Sequence, residues 1–108
     1  LHLGLDVSHG SPSTTVTVRG ELDLSTVPEL AQLLDLLLAA GVVRVTLDLG
    51  DLAFVDSHGL RAMASLRDAF VAAGGDVVVR HPRRLALRLM DAMALGDRLP
   101  VVPEAAWA

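Results

Sequence analysis

Asp56-Ser57-His58-Gly59 is the stretch whose residue types could do chemistry, because a carboxylate, a hydroxyl and an imidazole follow one another there. These are the side chains of a hydrolytic triad. Sequence neighbours cannot form its nucleophile–base–acid geometry, however, and Val55 stands where a nucleophile elbow requires glycine. Two uses of the turn remain. Asp56 or Ser57 can cap a following helix by accepting a hydrogen bond from a free N–H group, typically worth about 1 kcal/mol. Ser57 can also carry a phosphate, which would meet unpaired N–H groups and the positive end of the helix dipole. Phosphorylation would take the net charge from −4 to about −6, at about −1.5 to −2 per phosphoserine. That charge would join Asp23, Asp51 and Asp56 if their loops gather.

No other constellation competes. His2, His9, His58 and His81 include no i, i+4 pair and the chain has no cysteine, so no metal site and no cofactor are expected. Glycines 20, 41, 50, 59, 74 and 75 match element ends rather than a phosphate-cradling loop. Arg80, His81, Arg83, Arg84 and Arg88 make a local basic patch, either a solvated helix face or an attraction for an acidic partner or nucleotide phosphate. Nine arginines and no lysine against 13 acidic residues argue against a general polyanion binder. With only Phe54, Phe70 and Trp107 as aromatics, base-stacking surfaces are nearly absent, and nucleic acid is not an expected partner. No apolar run approaches the roughly 20 residues of a membrane span and no leader pattern opens the chain, so it reads as cytoplasmic. It begins at Leu1, as a domain trimmed from something longer would.

The elements that must position the turn follow from periodicity. At 108 residues with 52% hydrophobic and 20% charged, residues 1–108 suit a single domain with one core. Leu3–Val7 and Thr14–Arg19 read as a hairpin around Ser11–Ser13, and residues 20–24 lead out of it towards a helix. Thr26 and Glu29 fit a capping box with Pro28 in the first turn. Leu30, Leu33, Leu34, Leu37 and Leu38 then form one apolar stripe, closed by Gly41. Any part of that stripe left exposed would offer a partner groove or dimer face. Val43, Val45, Leu47 and Leu49 alternate as a strand, and a short connection leads from it to the Asp56-Ser57 turn. The second helix should bury Leu60, Met63, Ala64, Phe70 and Val71, with Arg67 interrupting that face and Gly74-Gly75 closing it. Val77–Val79 suit a strand covered on both sides. A third helix should show Leu85, Leu89 and Met93 on one face and end at Gly96, ahead of an edge strand at Val101-Val102. The expected fold is α/β: a small mixed sheet, built from an N-terminal hairpin and then alternating helix and strand, with helices packed on it.

Gly20-Glu21-Leu22-Asp23, the leucine-striped helix, Leu47-Asp48-Leu49 and Val55-Asp56-Ser57-x-Gly59-Leu60 together resemble the STAS domain of bacterial anti-sigma factor antagonists. The resemblance covers about residues 5 to 100 and agrees with this fold. It implies a non-catalytic switch protein in which Ser57 is phosphorylated by an anti-sigma factor that is itself a serine kinase. The unphosphorylated form would capture that kinase, the phosphorylated form would release it, and a phosphatase would reset the switch. Asp23, Asp56, Ser57, His58, Gly59 and Arg61 would form the partner surface, Gly59 allowing close backbone approach. His58 stands where the family usually has a small residue, often Ser or Thr, and removes a second phosphoacceptor. Arg61 stands where glycine is frequent, and could reach a phosphate on Ser57 or pair with Asp56. The same resemblance admits an interaction module of a lipid-transport ABC complex, an anion transporter or a stressosome. The oligomeric state is left open.

Overall fold

The structure, a computed structural model, describes residues 2–103, so Leu1 and Trp107 fall outside the described part. The chain begins with the expected hairpin, β1 (Leu3–Ser8) and β2 (Thr14–Leu22), paired antiparallel from Leu3–Gly20 to Ser8–Thr15. α1 (Val27–Ala39), β3 (Arg44–Asp48), β4 (Leu52–Val55), α2 (Ser57–Ala72), β5 (Asp76–Arg80) and α3 (Arg84–Ala92) follow. Strand order is β1-β2-β3-β5, and only β1 runs antiparallel to its neighbour. The expected mixed sheet is present.

β4 was not expected, and it changes how the site is held. Gly20 pairs with Leu3 on one side and Leu52 on the other, so β4 continues the line of β3 along the same edge of β2. The nine residues of β2 take β3 at Thr14–Thr17 and β4 at Gly20–Leu22. Residues 20–22 therefore remain strand rather than leading out of it. A four-residue strand without alternation, directly after Gly50-Asp51, has no periodic signal by which to be read.

The sheet is apolar by rows. Val16, Leu47 and Val79 stand abreast, as do Thr14, Val45 and Val77. The valines and leucines of these rows join Leu30, Leu34 and Leu37 of α1 and Leu60, Met63 and Phe70 of α2 in one core. Leu33 and Leu38 pack against it from the side, so the leucine stripe faces inward and only Leu36 stands out, 62% exposed. Gly41, at φ +94°, closes α1 as expected, where an L side chain would be strained.

Several expectations about faces and ends are corrected. Thr26 precedes α1 without capping it: its hydroxyl instead donates to Glu21 O at 2.9 Å, so no capping box with Glu29 forms. Thr46 is fully buried, so β3 is covered on both faces rather than alternating, and Ser13 Oγ lies 3.0 Å from Thr46 Oγ1. Val71 lies off the buried face of α2 and is exposed. In α3 the buried positions are Ala86 and Met90, with Leu89 and Met93 beside them, while Leu85 is 75% exposed. α3 stops at Ala92, before Gly96, and Ala94 takes the left-handed conformation at φ +54°. The last strand reduces to a single parallel bridge, Val101 with Val79. Among the described residues no helix is long and apolar enough to cross a membrane.

Candidate functional site

The ends of β2 and β4 bring two carboxylate-bearing residues together. Leu22 pairs with Val55, and Asp56 N donates to Leu22 O at 3.3 Å, so Asp23 and Asp56 leave their parallel strands side by side. Asp51 sits at the opposite end of β4, where its carbonyl accepts from Gly20 N at 3.3 Å. The expected gathering is thus Asp23 with Asp56, without Asp51.

Asp56 is the N-cap of α2. Its extended backbone (φ −109°, ψ −176°) turns Oδ1 back to accept from Gly59 N at 3.0 Å, and its carbonyl accepts from Leu60 N at 3.1 Å. Ser57 is the first helical residue, partly exposed, and its hydroxyl makes no hydrogen bond among the described residues. The N–H groups of Ser57 and His58 lie ahead of those that the helix and its cap satisfy. A hydroxyl thus stands in solvent reach at a helix N-terminus, with its capping duty already taken by its neighbour.

His58 lies in the first turn of α2, its Nδ1 3.6 Å from Asp56 Oδ2. Arg61 is exposed and forms no ion pair among the described residues, so the carboxylate of Asp56 faces His58 rather than Arg61. Gly59 is buried for a steric reason. A Cβ there would lie 2.7 Å from Leu22 O and 2.9 Å from Val55 Cγ2, so only glycine lets α2 start directly upon the ends of β2 and β4. The close approach expected at Gly59 is made by the protein's own strands.

Asp23 is occupied by its own turn. Its Oδ1 accepts from Ser25 Oγ at 2.7 Å, Ser25 N at 2.9 Å and Thr26 N at 3.2 Å. The Ser25 hydroxyl above all holds its carboxyl below the ordinary value; desolvation opposes it, and the N–H groups of Thr26 and Ser25 reinforce it. Thr26 Oγ1 accepts from Asp23 N at 3.0 Å, completing the latch between β2 and α1. Ser25 was not singled out from sequence and Thr26 only as a helix cap, although Asp-x-Ser-Thr is a side-chain turn pattern that could have marked both as partners of Asp23. The basic patch is partly anchored: His81 Nδ1 lies 3.2 Å from Asp48 Oδ1, and Arg83 Nε donates to Gly50 O at 3.0 Å. Among the described residues no group of three or more His, Asp or Glu side chains could hold a metal ion.

A mixed sheet in this order, with a capped serine turn between β4 and α2, defines a small α/β domain of the STAS type. The chain belongs to the STAS family, since residues 5–103 match the family model described as "Mlab, STAS domain". No curated protein shows a sequence match to it. It is similar in fold to an anti-sigma factor antagonist from Mycobacterium paratuberculosis, at 24% identity and a TM-score of 0.82 over 97% of this chain and 89% of that one. It is also similar to the Bacillus cell fate determinant SpoIIAA in its phosphorylated form, at 20% identity and a TM-score of 0.69 over 95% of each chain. Part of the murine anion transporter Slc26a9 shares the fold too, at 17% identity and a TM-score of 0.72, over 94% of this chain and 18% of that one.

Proposed function

We propose that this chain is an anti-sigma factor antagonist, a binding protein rather than an enzyme, whose partner affinity is set by phosphorylation of Ser57. The observation that carries the reading is the unbonded Ser57 hydroxyl on the first residue of a helix that Asp56 already caps. The fold it shares with antagonists, among them SpoIIAA solved both unphosphorylated and phosphorylated, supports it. In this reading the partner is an anti-sigma factor with serine kinase activity, working in the cytoplasm. Ser57 Oγ forms a bond to the terminal phosphorus of ATP, the bond to the leaving ADP breaks, and the hydroxyl proton is released. A phosphatase returns the hydroxyl by hydrolysing the Oγ–phosphate ester. In this reading Asp23, Asp56, His58 and Arg61 flank the acceptor while the buried Gly59 seats the helix beneath it, so a partner surface that fits a neutral hydroxyl meets a dianion beside two carboxylates after transfer.

A second reading, a STAS module resident in a transport assembly, is favoured by the fold shared with part of the anion transporter Slc26a9. Affinity capture from the native host separates the two, with wild-type, Ser57→Ala and Ser57→Asp proteins as baits and mass spectrometry as readout. The switch requires a serine kinase bound to wild type and Ser57→Ala but not to Ser57→Asp, and able to phosphorylate wild type alone with ATP. Transporter subunits recovered equally on all three baits would replace it with the module reading.

A further inference from the structure

A groove of about 430 Å³ lies between β4 and the start of α3. All four residues of β4, Leu52–Val55, line one side, and Arg83–Ala86 with Leu89 line the other. Successive side chains of a strand point to opposite faces, so a groove touching four consecutive residues runs along the strand's edge rather than over one face. That edge is open, because β4 pairs with β2 alone and its other side has no strand partner among the described residues. The apolar walls are in solvent, with Phe54 50% and Leu85 75% exposed. The polar component of the rim is cationic: Arg83 is tethered to Gly50 O, whereas Arg84 is exposed and without an ion pair among the described residues.

From these features we infer that the β4–α3 groove docks an extended segment of a partner protein, added as a strand to β4, with apolar side chains in the groove and an acidic residue facing Arg84. The three observations select this occupant together. An unpaired strand edge presents N–H and C=O groups that an extended peptide satisfies and a lipid chain leaves unmet. The apolar walls take alternate side chains of such a segment. The uncompensated arginine in a protein of net charge −4 selects acidic over basic sequences. The inference does not depend on Ser57, although Val55 lines the groove two residues before it, so the segment would end beside the phosphate acceptor.

The test is selection of a random dodecapeptide library on the whole chain, followed by affinity and amide exchange measurements with the enriched peptides. Enriched sequences are expected to alternate apolar residues and carry Asp or Glu at one end. They should slow amide exchange at β4, and lose about tenfold or more in affinity on Arg84→Glu or Leu85→Asp, which change exposed side chains. Leu36→Asp, on the exposed side of α1, should bind as wild type does, and so should Ser57→Asp if the segment stops short of residue 57. Loss on Ser57→Asp alone would place the peptide on the phosphorylation turn and overturn the groove. No enrichment, no acidic preference, or equal binding to Arg84→Glu would also overturn it. So would native mass spectrometry showing the groove filled by a co-purified fatty acid that Leu85→Asp releases.

Discussion

Glycine within a helix ordinarily costs about 1 kcal/mol relative to alanine, yet at position 59 the sign should reverse. An added Cβ meets the backbone oxygen of Leu22 at 2.7 Å, and backbone cannot swing aside as a side chain tip can. Gly59→Ala is expected to lose about 1–3 kcal/mol, the usual cost of overpacking, in urea denaturation. A variant as stable as wild type would mean that α2 lifts freely from the strands. Asp56→Ala should cost about 1 kcal/mol through the lost bond to Gly59 N, with Asp56→Asn retaining most of it. Asp23 gives a pH signature. Its folded pKa is lowered, so its contribution is complete above the ordinary carboxyl value of about 4 and is lost as pH falls through the folded value. Asp23→Asn should therefore flatten the acid side of the stability profile while leaving its shape above neutral pH unchanged. At this scale the sequence was legible where one residue's chemistry sufficed. A cap at Asp56 or Ser57 followed from residue type and the structure selects Asp56, whereas the hold of Ser25 and Thr26 on Asp23, local as it is, was masked by the reading of Thr26 as a cap for α1.

Arg67 shows what an element can hide. Read along α2 it merely interrupts an apolar face. In the fold its Nε donates to Asp76 Oδ1 at 2.6 Å and its Nη1 to Asp97 O at 3.0 Å, tying α2 to β5 and to the turn after α3. Asp76 lies nine residues along and Asp97 thirty, and no helical spacing announces either. Arg67→Met, which keeps the apolar stem, should destabilise by about 1–2 kcal/mol, measured as a shift in urea midpoint. An unchanged midpoint would show these bonds to be replaced by water without loss. Helices α1 and α2 and strand β3 were legible because each carries its own period, and β5 because Val77–Val79 is a continuous apolar run. β4 was not, since its four residues are defined by the partner strand rather than by a pattern. α3 was found but rotated: Leu85, Leu89 and Met93 share a helical face, yet burial falls on Ala86 and Met90 because β4 leaves a groove where Leu85 would pack.

For the whole molecule, the single core that α1 and α2 share with the sheet predicts one cooperative transition, and Leu34→Ala, fully buried within it, should lose about 2–5 kcal/mol. Ser57→Asp, by contrast, should leave the unfolding midpoint close to wild type, because an acid in the first turn of a helix is favourable. A large loss there would show the serine to be structural. The fold class was legible as a whole because order of elements and apolar fraction constrain it strongly, and neither depends on where a single element ends. Partner identity was not, since it resides in surfaces formed by residues distant along the chain. The steric fit of Gly59 has one more consequence. In the proposed switch, α2 is seated on the strand ends by this fit, so a phosphate on Ser57 would be a local label rather than a signal passed through the domain. At physiological ionic strength its field fades over about 8 Å. A partner reading that mark would have to come to it, and added salt would shorten the distance at which it could be read.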